Sequence, residues 1–380
     1  MQKELKVKNK IFIRQFIVAI STTGMFCLSH AEDFKRYSVS VGWLHMTSLG
    51  KMKPFNINTS VNEGTKSKVG MISGATVVNN IDQSRINDMD PNLISLLNTK
   101  SNPDDPNSDR YLLDDLLALG EDPEAPDDFL EQATGIAEIN GLSSWASNAG
   151  LEVEDVDTAG LMLTYNVNEN VSLQMIGGFP PKVDIKGKGK IYAPFSASSK
   201  PLGGLVGDLY LKNNLLITDL DNYNTSASAR AWTPGFQAQY YFGKPGVNKF
   251  RPFLGAGFMY AYFSDIKINA GIEKDLIAAG HMIQNIYDDK AGASLEGKIS
   301  SGDMKVKVDA NDAFAPMVTA GFTYDFKKNW FATASLSYAK LDNTATITVV
   351  NRNTGAQLIK AQTKIDIDPL ISYVGVGYRF

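Results

Sequence analysis

At 380 residues the chain is long enough for one large domain or two ordinary ones, and a formal net charge of −4 gives no support to nucleic-acid binding. Hydrophobic residues make up 43% of it and the mean hydropathy is −0.15; beyond its first residues no stretch holds the ~18 uninterrupted apolar residues of a membrane-crossing helix. Neither value excludes a membrane β-barrel, whose strands alternate apolar and polar residues and so average out in composition.

Residues 1–31 read as a signal peptide. Lys3, Lys6, Lys8 and Lys10 make a basic start, residues 16–28 an apolar core, and Ser29-His30-Ala31 puts small residues where signal peptidase cuts. The mature chain is expected to begin at Glu32. The only cysteine, Cys27, falls inside this leader, and Phe26 before it argues against a lipoprotein site. A mature chain without thiols suits an oxidising compartment. Losing residues 1–31 removes five basic groups and one acid, so the net charge of −4 becomes −8.

The elements that follow are predicted mainly from period-2 alternation, which places successive side chains on opposite faces of a strand. Segment 37–43 alternates Tyr37, Val39, Val41 and Trp43 with Ser38, Ser40 and Gly42. Segments 161–167 and 171–179 repeat the pattern, the first through Leu161, Leu163 and Tyr165, the second through Val171, Leu173 and Met175. Segments 236–241 and 250–263 follow, with Phe236, Ala238 and Tyr240, then Leu254, Ala256, Phe258 and Tyr260, on one face. The last three are 314–326, 330–339 and 370–380; the final one sets Leu370, Ser372, Val374, Val376, Tyr378 and Phe380 against Gly375, Gly377 and Arg379. These lengths approach the ~9–11 residues with which a strand crosses a bilayer.

The connections alternate strictly between short and long. Residues 168–170, 243–248 and 327–329 are tight turns, whereas 47–156, 180–230, 264–312 and 342–366 are long. Outer-membrane barrels have short periplasmic turns and long external loops. The first long connection holds predicted helices near 90–97, where Asp90-Pro91 supplies an N-cap and a first-turn proline, and near 111–119 and 126–133. The third holds one over 273–287. The chain is thus expected to be all-β: an eight-stranded antiparallel transmembrane β-barrel in a Gram-negative outer membrane, with long, partly helical external loops. Within 32–380, residues 47–156 form a large first external loop and 264–312 a third with a helix. Tyr378 and Phe380 look like the terminal signal by which the barrel-assembly machinery recognises such proteins.

Tyr240-Tyr241-Phe242-Gly243 followed by Lys249-Phe250-Arg251-Pro252-Phe253-Leu254-Gly255-Ala256-Gly257 resembles the central hairpin of the OmpW family of small outer-membrane barrels. Asn329-Trp330 through Leu341-Asp342 and Ile367-Asp368-Pro369 through Phe380 resemble that family's last two strands. The long segments 47–155 and 264–312 exceed its usual loops. The resemblance implies a narrow apolar channel for small hydrophobic or amphipathic molecules, released sideways into the membrane, and receptor duty for bacteriocins in some members. It also draws attention to Pro234, since such proteins tend to carry a proline in the fourth strand; proline cannot donate to a ladder and so marks a candidate lateral gap.

Strand parity assigns the lumen. Leu44, Met46, Ile176, Met259, Met317, Ile371 and Tyr373 fall in its outer half, as an apolar constriction. Ser38, Ser40, Asn166, Ser172, Gln174, Gln237, Gln239, Arg251, Asp325 and Arg379 fall in the periplasmic half, with Arg251, Asp325 and Arg379 placed to pair across it. An apolar constriction excludes ions by dewetting while admitting greasy solutes. Plain filling of a narrow barrel by side chains is the competing explanation.

Catalysis is not expected. The mature histidines are His45, at a strand end, and His281, in the third-loop helix. Residues 219–224 resemble a calcium loop only loosely, because Thr225 stands where the turn needs glycine. Gly187-Lys188-Gly189-Lys190 precedes no helix and is not a phosphate loop. No cofactor or metal is expected. The acidic run from Asp104 to Asp128 reads as a solvated surface or as a bridge to lipopolysaccharide through divalent cations. The expected function is passive uptake of small hydrophobic molecules, with outer-membrane lipids, lipopolysaccharide and such solutes as partners and no nucleic acid. The alternative is a surface-interaction protein, an adhesin or a bacteriocin or phage receptor, acting through its loops.

Overall fold

The computed structural model describes residues 35–102, 104 and 109–380. The signal peptide expected over 1–31, and Cys27 with it, lie outside the described residues. In chain order the structure begins with β1 (Tyr37–Ser48), β2 (Pro54–Thr59), β3 (Thr65–Lys68), α1 (Gly74–Asn79), α2 (Pro91–Asn98), α3 (Leu112–Ala118), α4 (Phe129–Thr134) and β4 (Ile136–Asn140). It continues with β5 (Ser144–Val153), β6 (Val156–Asn166), β7 (Val171–Gly178), β8 (Lys182–Lys188), β9 (Lys190–Ser199), β10 (Leu209–Asp219), β11 (Ala227–Trp232), β12 (Gly235–Tyr241) and β13 (Phe250–Ile268). Then come α5 (Ala270–Tyr287), α6 (Ala291–Leu295), β14 (Met304–Ala310), β15 (Ala313–Lys327), β16 (Trp330–Ala339), β17 (Asp342–Asn351), β18 (Gln357–Asp366) and β19 (Pro369–Arg379).

Eight strands close on themselves in the order β12-β7-β6-β1-β19-β16-β15-β13, with β13 pairing back to β12. Closure removes the edges that lipid cannot hydrogen-bond. Every neighbour is antiparallel, and the chain ends are tied: Phe380 N donates to Tyr37 O at 2.9 Å. The registers keep the alternation in phase. Val41 lies across from Val376 and Leu161, all facing outward, whereas Ser40 lies across from Gly377 and Met162, facing in. Outward apolar rings cluster at both ends of this wall. Tyr37, Tyr240, Phe250 and Trp330 stand at the turn end, and Trp43, Phe179, Trp232 and Phe314 at the far end. Aromatic rings of this kind sit at the headgroup level. Among the described residues no helix is long and apolar enough to cross a membrane.

The segments read from sequence as external loops are largely folded. The same sheet continues as β11-β8-β5-β2-β18-β17-β14, seven strands that stand above the barrel with the upper half of β13 and form a second tier. Each follows or precedes a barrel strand after only a few residues. The physical reason is again alternation: Phe55 and Ile57 point inward while Asn56 and Asn58 point out. Phe55 pairs with Ser147 across about ninety intervening residues, so no local hairpin announces these strands. The 18-residue α5 roofs the tier, about 27 Å of helix at 1.5 Å per residue. Its buried stripe includes Ile272, Leu276, Ala279, Ile283 and Ile286.

A cap stands beside the tier, built from the sheet β10-β9-β4-β3 and helices α1–α4 over a separate small core of Val77, Leu93, Leu97, Leu113, Leu117 and Leu209. Its second helix starts as expected, with the Asp90 side chain accepting from Asn92 N at 2.7 Å and Pro91 in the first turn. Part of the acidic run fastens this cap from within: Asp114 accepts from Gly74 N at 2.8 Å, and Asp115 pairs with Arg110 at 2.6 Å.

Candidate functional site

The barrel interior changes character along its length. At the outer end Met46, Met162, Ile176, Met259, Met317, Ile371 and Tyr373 are buried, Met259 and Met317 at 1% exposure, and half-buried Leu44 packs against them. All the outer-half residues singled out from parity therefore meet in one neck. Met162 belongs there too; the parity of its own strand, with Leu161 and Leu163 outward, is the signal that would have found it. The neck is tight around Gly235, where a Cβ would meet Ile176 Cγ2 at 2.9 Å and Met317 Cε at 3.1 Å.

Below the neck the lumen is a polar lattice. Gln174 Oε1 accepts from Gln237 Nε2 at 2.8 Å and from Gln239 Nε2 at 2.9 Å, and Tyr241 OH donates to Gln239 Oε1 at 2.9 Å. Thr319 and Ser337 hydroxyls bond at 2.7 Å. At the turn end Arg379 Nη1 pairs with Asp325 Oδ1 at 2.6 Å and lies over the Phe331 ring. Arg251 does not join that pair. It stands beside the 168–170 turn, donates to Glu169 O at 2.5 Å, and lies over the Tyr241 ring. Its Nη2 is taken by the Glu169 carbonyl of the β6–β7 turn, while its Nε has no partner among the described residues. Gln237 Oε1, Thr323 Oγ1 and Ser335 Oγ have no protein partner among the described residues.

Above the neck is a chamber that the sequence did not announce. Phe55, Ile57, Leu151, Phe263, Ile283 and Ile359 are among the side chains lining it, under the roof of α5. Its cavity volume is about 100 Å³, where one water needs ~10–15 Å³. Chamber and neck belong to one unbroken buried apolar cluster. The chamber wall has a seam. The ladder between β13 and β15 stops at Ala261 and Ala313, and among the described residues upper β13 pairs only with β11 and β14 only with β17. Lining residues beside that seam, Phe263, Ile266, Val308 and Ala310, are half-buried, whereas Phe55, Ile57 and Ile283 opposite are buried.

Pro234 sits at the join of β11 and β12, level with the neck. Towards β13 the backbone bonding continues through it, since Tyr260 N donates to Pro234 O at 3.0 Å between the Trp232–Tyr262 and Gly235–Met259 pairs. Towards β7 and β8 it does not. The β12 ladder starts at Gly235–Ile176 and the β11 ladder ends at Arg230–Lys182, with only Ala231 N to Pro181 O, at 3.2 Å, between them. The wall is therefore interrupted on one side at residues 232–234.

The remaining candidates are placed as follows. Asp219 pairs with Lys190 at 3.2 Å and Asp221 accepts from Gly189 N at 3.0 Å, so the loose calcium-like loop closes the β8–β9 hairpin instead. Among the described residues no cluster of three or more His, Asp or Glu could hold a metal ion. His281, on the roof helix α5 itself, is half-buried, its Nδ1 2.9 Å from Ser300 Oγ. His45, on the outer face of the barrel, has its Nδ1 2.9 Å from Asp157 Oδ1 and its Nε2 3.1 Å from Thr47 Oγ1.

A closed barrel of eight antiparallel strands, apolar outside, ringed by aromatics at both ends and carrying all its long connections on one side, is an outer-membrane β-barrel protein. A family model described as the OmpW family matches residues 274–380. Outer membrane protein W of Vibrio cholerae serotype O1 is 26% identical over 257 residues, covering 67% of this chain and 88% of that protein. Outer membrane protein W of Escherichia coli strain K12 is 27% identical over 147 residues, 39% of this chain and 52% of that one. Among solved structures, OprG from Pseudomonas aeruginosa aligns with a TM-score of 0.46 at 12% identity, covering 91% of this chain and 96% of that one. AlkL in lipid bilayers aligns with a TM-score of 0.39 at 12% identity, over 94% and 96%. Over its C-terminal part the chain is thus similar to the OmpW family, and over two thirds of its length to one protein of that name.

Proposed function

We propose that the protein is a passive conduit for small hydrophobic and amphipathic molecules across the outer membrane. The observation that carries this reading is the continuous apolar path from chamber to neck, ending on a polar floor beside a one-sided break in the wall. Each methylene moved from water onto such a surface gains about 0.8 kcal/mol, while an ion gains nothing and loses its hydration. Solutes reach the chamber at the seam between β13 and β14, pass the methionine-lined neck, whose thioethers adapt to varied shapes, and leave sideways past Pro234. The lattice around Gln174 and the Arg379–Asp325 pair close the straight route to the periplasm.

The test is uptake of labelled n-octane by Gram-negative cells lacking or expressing the protein, together with ion conductance of the purified barrel in planar bilayers. Faster octane uptake with negligible conductance supports the reading; unchanged uptake rejects it.

A second reading, surface interaction through the external segments, is favoured by the cap. It has its own core, and Leu205, 90% exposed, stands at the tip of a turn built on Gly203, Gly204 and Gly207. Deleting residues 69–135 separates the two: loss of partner binding with uptake intact assigns the cap to recognition.

A further inference from the structure

We propose that Thr47, His45 and Asp157 form a second site, unconnected with transport, that cleaves the carboxylic esters of lipids in the outer leaflet.

The arrangement follows from strand geometry. His45 and Thr47 are two apart on β1 and so share its outer face, and Asp157 lies directly across from His45 in the β1–β6 register. Asp157 Oδ1 is 2.9 Å from His45 Nδ1 and accepts from Trp43 Nε1 at 2.8 Å. An ionised carboxylate only accepts, so Nδ1 carries a ring proton, and in the neutral ring Nε2 is the acceptor that faces Thr47. Thr47 Oγ1, 3.1 Å from Nε2, donates to it. Trp43 stacks on the imidazole with centroids 5.4 Å apart and the planes 22° from parallel, which holds the ring in this orientation. A hydroxyl, a base that accepts its proton and a carboxylate that fixes the base are the parts of a nucleophilic acyl-transfer site.

The location selects the substrate. Val41 and Trp43, 62% and 50% exposed, belong to the outer apolar band and its aromatic ring. Thr47 is the next outward residue but one beyond Trp43, at the level where acyl chains join their headgroups. A long-chain ester therefore meets the hydroxyl without leaving the membrane.

The chemistry balances without a cofactor. Thr47 Oγ bonds to the ester carbonyl carbon while its proton passes to His45 Nε2 and the carbonyl π electrons move to oxygen. Collapse breaks the ester C–O bond, and the leaving alkoxide takes the proton from Nε2. Water then repeats both steps on the acyl-threonine, releasing the carboxylic acid and restoring Thr47. The oxyanion forms at the hydrated rim, where water stabilises it in place of fixed N–H donors. The loss of one such donor lowers turnover about 10²–10³-fold, so product is read over hours.

The test uses the full barrel folded into vesicles of dioleoylphosphatidylcholine and, separately, into vesicles containing lipopolysaccharide. Free fatty acid and acyl adducts on the intact protein are read by mass spectrometry, and the two lipids tell a phospholipid ester from a saccharolipid one. Fatty acid should appear with the parent and with Thr47→Ser, and fall about 100-fold or more in Thr47→Val and His45→Gln; Asp157→Asn should also lose most of it. The adduct should map to residue 47. No release from either lipid above protein-free vesicles by parent and Thr47→Ser, or equal release by parent and Thr47→Val, overturns the proposal. Mapping the adduct in the parent keeps it testable should a variant fail to fold.

Discussion

Pro234 accepts a hydrogen bond from Tyr260 N at 3.0 Å and, lacking an N–H, cannot return one to Tyr260 O, so the chain is held to β13 there by one bond where an antiparallel pair exchanges two. That singly bonded point adjoins the interruption of the wall on the β7 side and lies level with Gly235, where Ile176 and Met317 close on the lumen. A valine at this position restores the donor towards Tyr260 O and completes the pair with β13. Pro234→Val is therefore expected to slow labelled octane uptake several-fold, with a barrel at least as resistant to heat unfolding as the parent, since one added hydrogen bond contributes about 1 kcal/mol. Uptake at the parental rate in a folded variant would remove the gap from the pathway.

Access through the seam and access through the roof predict different variants. Ala310 lines the chamber beside the unpaired edge of β14, so Ala310→Trp should obstruct the seam and reduce uptake. A Cβ added at Gly280 would stand 2.7 Å from Val349 Cγ1, close enough for Gly280→Cys with Val349→Cys to staple α5 to β17. The mature sequence supplies no competing thiol if the leader is cleaved at residue 31. Oxidising that pair should leave uptake unchanged. Inhibition by the staple, reversed by reductant, would make the roof the gate instead.

The roof should loosen in acid. Burial holds the His281 imidazole below its ordinary value, only partly offset by Asp303, and the ring is used neutral, with Nδ1 accepting from Ser300 N at 3.2 Å. A folded-state value below the unfolded one means that the unfolded chain binds the proton first. The contribution is complete above the unfolded value near ~6.5 and is lost as pH falls from there through the lower folded value. Hydrogen-exchange protection of α5 amides, corrected for intrinsic rates, should fall between pH 7.5 and 5.5 in the parent. It should stay level in His281→Gln, whose carbonyl oxygen replaces the ring acceptor.

The barrel was legible because lipid on one side and a filled lumen on the other force a strict alternation, and because Tyr37, Trp330 and Phe380 punctuate its strand ends. The same alternation assigned the neck: Met259 and Met317 needed only the outward parity of Phe258 and Val318. The Asp90-Pro91 helix start was readable because its hydrogen bond is local. The second tier was not, since its inward residues pair across long separations, as Phe55 does with Ser147. Nor was the setting of His45, whose carboxylate partner lies 112 positions away and is supplied by register alone. Arg251 lies in the lumen half that parity gave it but not in the expected pair with Asp325, because parity gives a face and not a reach.

The central claim is that the neck passes apolar solutes because it excludes water, and the double variant Met259→Asp, Met317→Asp tests it most directly. Both side chains are 1% exposed and face the lumen, so two carboxylates there draw water and cations into a passage that dewetting otherwise closes. In planar bilayers the folded variant should conduct cations where the parent does not, and cells carrying it should take up labelled octane several-fold more slowly. A folded variant that matches the parent in both conductance and uptake would show that the methionines merely fill the barrel and that the solute path lies elsewhere.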